Sequence, residues 1–151
     1  MENKIKIRLR LVIIKNNKLL GYYDSVENYY FYIGGKLEYG ETIEEGCKRE
    51  IKEELGNDAK FKFIKILYIR DFILPEYNEH SLELYILGET NKFTEINKRP
   101  DPESGGKKWP EWIDLNNLPS NLRPHNLTLK ILEDFKNGFP NEGKYVGNID
   151  C

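Results

Sequence analysis

The stretch GGKLEYGETIEEGCKREIKEELG, residues 34–56, decides the fold. A double glycine, Gly34-Gly35, leads into a strongly acidic helical pattern that stops at Gly56-Asn57. Between Glu38 and Glu54 seven acids (Glu38, Glu41, Glu44, Glu45, Glu50, Glu53 and Glu54) stand against three bases (Lys48, Arg49 and Lys52), a net charge of −4. The whole chain carries −2, and the 18 acids and 20 bases outside this segment leave the remainder at +2. Acid is concentrated in one place, and the concentration needs a physical reason.

Thr42 followed three residues later by Glu45 is a capping-box pattern, so the helix starts there. Projected at about 100° per residue, Ile43, Cys47, Ile51 and Leu55 form an apolar stripe. Glu45, Lys48 and Lys52 fall on the opposite, solvated side. Glu50 and Glu54 fall within about 20° of Ile43, at the edge of the stripe, with Glu53 on the same flank. The plainer reading is an amphipathic helix with surface glutamates held by pairs such as Glu44–Lys48. Carboxylates gathered at a buried edge behind two glycines favour another. Like charges buried together are costly unless a counter-charge is present. Oxygen donors of this kind suit Mg²⁺ or Mn²⁺, which take further ligands from substrate phosphates. Gly34-Gly35 lets a backbone carbonyl approach the same point, and Arg49, one turn before Glu53, is placed to neutralise and orient a carboxylate.

Residues 35–57 resemble the Nudix box of the MutT-like Nudix hydrolase family, G-x5-E-x7-R-E-U-x-E-E-x-G-U with U a bulky aliphatic. Gly35 and Glu41 take the first two fixed positions, and Arg49-Glu50-Ile51-Lys52-Glu53-Glu54-Leu55-Gly56 fills the rest. Asn57 departs from the expected aliphatic, and Ile33 stands where many relatives have proline. The resemblance implies an α/β protein with the Nudix fold, an α/β/α sandwich with a mixed β-sheet flanked by helices. It implies a hydrolase that splits the pyrophosphate of a nucleoside diphosphate linked to another group, using a divalent metal. By position, Glu50, Glu54 and a Gly34 carbonyl look like metal ligands. Glu53 looks like either such a ligand or the base that deprotonates water, and Arg49 and Glu41 look like supports for the loop and helix. The family often recruits one more glutamate from a loop before the last strand, for which Glu103 is the candidate, with Glu95 and Glu111 competing. Some relatives place a base-reading asparagine where Asn126 opens the last helix, although an N-cap is its plainer role. ADP-sugars, dinucleoside polyphosphates and RNA 5′ ends are alternative substrates. A Nudix-like nucleotide-binding domain without catalysis is the alternative from another class, and the intact Glu50, Glu53 and Glu54 count against it.

The rest of the chain bounds these readings. Its 151 residues suit one domain, residues 1–151. Ten tyrosines and seven phenylalanines mark a globular protein, and near-neutral charge counts against a broad nucleic-acid face. Two cysteines, Cys47 and Cys151, form neither a disulfide framework nor a zinc pattern and suit a reducing, cytoplasmic setting. No apolar run approaches the roughly 18 residues of a membrane span. The expected partner is a small nucleotide, with a homodimer left open.

Alternation predicts a strand over residues 5–14, a turn at Asn16-Asn17 and a hairpin partner over 18–23. Further strands are expected over 29–33, 59–72, 81–87 and 109–115, with loops at 74–80 and 89–108. A second helix is expected over 126–135 and a loose tail over about 138–151. Tyr23, Tyr32, Tyr85 and Trp109 are candidates to stack on a base, and Lys36, Arg8, Arg10 and Arg70 to meet phosphate.

Overall fold

The structure is a computed structural model that describes residues 3–96 and 102–151. Its described elements are β1 (Lys6–Val12), β2 (Ile14–Lys15), β3 (Lys18–Asp24), β4 (Tyr29–Lys36), α1 (Ile43–Leu55), β5 (Phe61–Leu74), β6 (Glu79–Thr90), β7 (Lys108–Asp114), α2 (His125–Lys136) and β8 (Lys144–Tyr145). The sheet runs β2-β3-β4-β1-β6-β5-β8, with β7 added on β3. Central β1 pairs antiparallel with β4 and parallel with β6, so the sheet is mixed.

The period of two along the central strands makes two cores. Successive side chains point to opposite faces of a sheet. Leu9 and Leu11 of β1, Ile33 of β4 and Ile86 of β6 pack with Cys47, Ile51 and Leu55 of α1. Val12, Tyr32 and Tyr85, their neighbours in sequence, pack with Leu127 and Ile131 of α2 on the other face. A fully buried aliphatic side chain contributes about 1.5–3 kcal/mol. Helices of 13 and 12 residues are too short to persist alone, and these stripes hold them to the sheet. The layered architecture expected from the sequence is therefore present. Among the described residues no helix is long and apolar enough to cross a membrane.

Several boundaries differ from expectation. The first strand breaks after Val12 and resumes at Ile14, where the chain crosses from pairing with β4 and β6 to pairing with β3. The expected loop at 74–80 contracts to a single 3-10 turn, Pro75–Tyr77, closed by Asn78 in the left-handed conformation. Its flanks join a long β5–β6 hairpin. The last helix begins at His125 with Pro124 as its N-cap, so Asn126 is not the cap.

The tail is the largest correction. Residues 138–151 are not loose. β8 adds parallel to β5, Gly147 O accepts from Asp71 N at 2.8 Å, and Val146 and Ile149 pack against the α2 core. Pro124 has no side-chain donor or acceptor with which to cap α2. Asp150 supplies the cap from 24 residues away, Oδ1 accepting from Asn126 N and Nδ2 at 3.2 and 2.8 Å and Oδ2 from Leu127 N at 3.0 Å. Local composition gives no sign of this, because the partners are distant in sequence.

Asp150→Ala is expected to cost about 0.5–2 kcal/mol, the usual value of a lost cap, read as a lower urea midpoint. Gly34→Ala is expected to cost more, about 2–4 kcal/mol, because Gly34 has φ 140° and a Cβ there would land on the Leu9 carbonyl. A Gly34→Ala protein with the wild-type urea midpoint would contradict this account of the β4 turn.

Candidate active site

The acidic helix is anchored at its start by both halves of a capping box. Thr42 Oγ1 accepts from Glu45 N at 3.1 Å, and the Glu45 carboxylate accepts from Thr42 N at 3.1 Å. Gly56 caps the other end, its N–H bonding to Lys52 O. The apolar stripe turns Cys47, Ile51 and Leu55 into the core. Burial pushes the Cys47 thiol up to about 12, so it stays protonated and unreactive at neutral pH.

This anchoring fixes the orientation of the glutamates. Glu50 is 6% exposed, Glu54 is half-buried and Glu53 is exposed. Arg49 binds the cluster together. Its Nη1 donates to Glu50 Oε1 at 2.9 Å and to both Glu53 oxygens at 3.3 Å. Nε and Nη2 grip Glu41 at 3.0 and 2.6 Å, a two-point pairing, and Nη2 also donates to Lys36 O at 3.0 Å. Glu41 in turn accepts from Glu38 N at 2.8 Å, which closes the loop onto the helix. The Arg49 guanidinium holds the Glu41 carboxyl below its usual range. Burial acts the other way on Glu50 and raises its pKa despite Arg49.

The double glycine lets the backbone reach these carboxylates. Gly34 N donates to Glu54 Oε2 at 3.1 Å. A Cβ on Gly35 would stand 2.6 Å from Glu50 Oε1. Gly34, Gly35, Glu50, Glu53 and Glu54 line one cavity of about 580 Å³, and Arg8, Arg10 and Lys108 bring positive charge to it. Among the described residues no three His, Cys, Asp or Glu side chains are drawn round a common point tightly enough to hold an ion. The donor set nonetheless fits a hard divalent cation: all oxygens, one carboxylate buried, and a glycine cradle that any side chain would fill.

The other candidates separate. Glu95 sits in a turn, accepting from Phe93 N, and Glu111 on β7 accepts from Tyr30 Oη at 2.8 Å. Neither lines the carboxylate cavity. Glu103 belongs to the short 3-10 turn Pro102–Ser104, and its side chain lies outside the described residues. Asn126 donates to Asp150 and lines neither this cavity nor its neighbour. Tyr32 and Tyr85, each 1% exposed, meet edge to face and line the neighbouring cavity rather than this one. Tyr23 and Trp109 pack on each other across β3 and β7. Arg8 and Arg10 line the carboxylate cavity, whereas Lys36 contributes only its carbonyl to Arg49.

A second cavity of about 550 Å³ adjoins the first on the α2 face of the sheet, sharing Arg10, Tyr29, Phe31, Phe72 and Leu74 with it. Its mouth carries Arg123 stacked 4.8 Å over the Tyr29 ring, and Asp150 from the tail. Sequence reasoning passed over Tyr29, Phe31, Phe72 and Arg123. The available signal was the alternation of aromatic residues along 29–32; the meeting of that strand with residues 72 and 123 is tertiary.

Known proteins resemble this chain in sequence and in fold. The NUDIX domain family profile matches residues 10–134. An ADP-ribose pyrophosphatase from Methanocaldococcus jannaschii is 34% identical over 105 residues, which are 70% of this chain and 57% of that protein. The chain thus spans little more than half the length of that relative. A MutT NUDIX hydrolase from Burkholderia pseudomallei superposes with TM-score 0.68 at 20% identity, covering 84% of this chain and 97% of that one. An ADP-ribose pyrophosphatase from Streptococcus suis gives TM-score 0.66 at 15% identity, covering 93% and 98%. At those identities the superpositions show a shared fold. With the family profile running from the first central strand through the acidic helix to the end of α2, the chain belongs to the Nudix family.

Proposed function

We propose that this chain is a divalent-metal-dependent pyrophosphohydrolase acting on a nucleoside diphosphate linked to another group. One observation carries the reading. Glu50, Glu53 and Glu54 share a cavity with Arg8, Arg10 and Lys108, so acidic and basic side chains meet in one lining, where Glu79 pairs with Arg8. A bare acidic wall would repel a phosphate, and a bare basic wall would bind it without activating water. The two together suit a substrate that carries negative charge and brings a cation with it.

Glu50 and Glu54 would hold Mg²⁺ or Mn²⁺. Such an ion, when bound, stabilises charge on the phosphate oxygens and lowers the pKa of an attacking water. The chain's own groups do the rest. Glu53 is the solvent-facing member of the set, with a side chain 45% exposed, and it accepts the proton of the attacking water. Arg49 holds Glu53 and Glu50 in place and ties them through Glu41 to the glycine loop. Arg8, Arg10 and Lys108 orient the phosphates. The adjoining aromatic cavity receives the nucleoside. The name of the Methanocaldococcus jannaschii relative makes ADP-ribose the first compound to test.

The experiment is a phosphate- and nucleotide-release panel with Mg²⁺, covering ADP-ribose, other nucleoside diphosphate derivatives and nucleoside triphosphates. Turnover on at least one compound is expected, with its loss on chelation by EDTA and recovery on adding Mg²⁺. Glu53→Gln is expected to lower kcat by about 100-fold or more. Equal turnover in that variant would remove Glu53 as the base. Tight nucleotide binding without turnover of any compound would replace the hydrolase by a binding domain. Gly35→Ala, whose Cβ displaces the flexible end of Glu50, is expected to fold but to bind Mn²⁺ more weakly and turn over more slowly. Wild-type Mn²⁺ affinity in Gly35→Ala would remove Glu50 from the ion site.

A further inference from the structure

Arg10 stands where the two cavities meet and lines both. It lies in the middle of central β1, on the face that looks toward α2, with Gly34 and Tyr85 as its neighbours on the flanking strands. Arg10 lies between Leu9 and Leu11, both fully buried, and continues on the other face the row of charged residues begun by Lys6 and Arg8. Burial works against its charge, and the combined attraction of Glu83, Tyr85 and Glu54 outweighs that burial.

The support is a buried network. Arg10 Nε donates to Glu83 Oε2 at 3.2 Å. The other Glu83 oxygen accepts from Arg70 Nη1 at 2.6 Å and from Tyr85 Oη at 3.1 Å. Arg70 is held on its remaining edges as well, Nε donating to Ile149 O at 2.8 Å and Nη2 reaching Cys151 Sγ at 3.8 Å. Glu83 itself is 3% exposed. One buried carboxylate thus serves two guanidinium groups, and the network carries a net positive charge. Arg70 is tied down by the tail. Arg10 is held through Nε, its guanidinium lies 5.7 Å from the centre of the Phe31 ring, and the residue lines both cavities where they meet.

We propose that Arg10 binds the diphosphate of the substrate at this junction, and that Glu83 is the positioning residue that holds the Arg10 guanidinium there. The proposal rests on the pyrophosphohydrolase reading above. It follows from position and chemistry. A group that joins a nucleoside in the aromatic cavity to a phosphate beside Glu50, Glu53 and Glu54 must pass Arg10. The planar fork of a guanidinium matches two phosphate oxygens, which a lysine ammonium does not reproduce. Its surplus charge, in a partly dry site, is the complement of a diphosphate.

The test uses methylenediphosphonate, a non-hydrolysable diphosphate without a base, titrated with Mg²⁺ into the wild-type chain and into Arg10→Lys, Arg10→Met and Glu83→Gln. Steady-state kinetics follow on the best compound of the release panel. Binding is expected to weaken by about tenfold or more in both Arg10 variants. Mn²⁺ affinity should stay at the wild-type value in Arg10→Lys, which keeps the charge beside Glu54, and this separates loss of the phosphate contact from general damage. Glu83→Gln keeps the shape of the side chain and is expected to raise KM by a larger factor than it lowers kcat. Wild-type affinity for methylenediphosphonate in Arg10→Lys and Arg10→Met would overturn the role of Arg10. An unchanged KM in Glu83→Gln, or for a chain without turnover an unchanged diphosphonate affinity, would overturn that of Glu83. Should Arg10→Met fail to fold, Arg10→Lys decides. Diphosphonate binding that depends on Arg10, in a chain that turns nothing over, would sink the hydrolase reading and leave this one standing. No diphosphonate binding by the wild type overturns the proposal outright.

Discussion

The guanidinium of Arg49 is the interaction on which the site depends. Five of its contacts converge on one turn of helix and one loop: Glu41 twice, Lys36 O, Glu50 and Glu53. Four glutamates in and before α1 would repel one another at this spacing. A delocalised cation with a fixed fork of donors turns that repulsion into a geometry. The loop after β4 can then lie against the helix, and Gly34 can bring its N–H to Glu54. Without the two glycines the backbone would stand too far away, and without Arg49 the buried Glu50 would have no strong partner on its own helix.

A second set of buried charges lies on the opposite side of β1. Arg10, Glu83 and Arg70 occupy the α2 face of the sheet, while α1 presents its carboxylates beyond Gly34 and Gly35. Buried ionic groups of this kind add little net stability compared with apolar residues of the same volume. Their value lies in placing charge where a flexible surface side chain could not hold it. The tail takes part in this arrangement. Ile149 O receives Arg70, and Asp150 caps the helix whose first residues form the rim of the aromatic cavity.

Local pattern revealed much of this design, and its limits follow one rule. The capping box at Thr42 and Glu45, the stop at Gly56, the apolar stripe and the buried edge position of Glu50 all depend on residues within a few turns of one another. Each was legible because helix geometry fixes the direction of every side chain from sequence spacing alone. The alternation in β1 and β6 was legible for the same reason. Asn126 shows the opposite case. Its place near the start of α2 invites an N-cap reading, yet the cap comes from Asp150, and the side chain of Asn126 merely joins it.

The amino-acid sequence by itself determined the acidic helix, its capping box, the edge position of its carboxylates, and membership of a layered α/β class. Those features are built from short-range spacing, whereas the approach of Gly34 to Glu54 also needs β4 to pair with β1. Tertiary structure alone decided that Arg10, Glu83 and Arg70 would meet, that Tyr29 would face Arg123, and that residues 144–151 would fold back on β5 and α2. These contacts join residues 13 to 94 positions apart, and their register is set by strand pairing and by which face of the sheet each residue occupies. A strand carries that choice in its period of two, but its neighbour is chosen only when the whole sheet assembles.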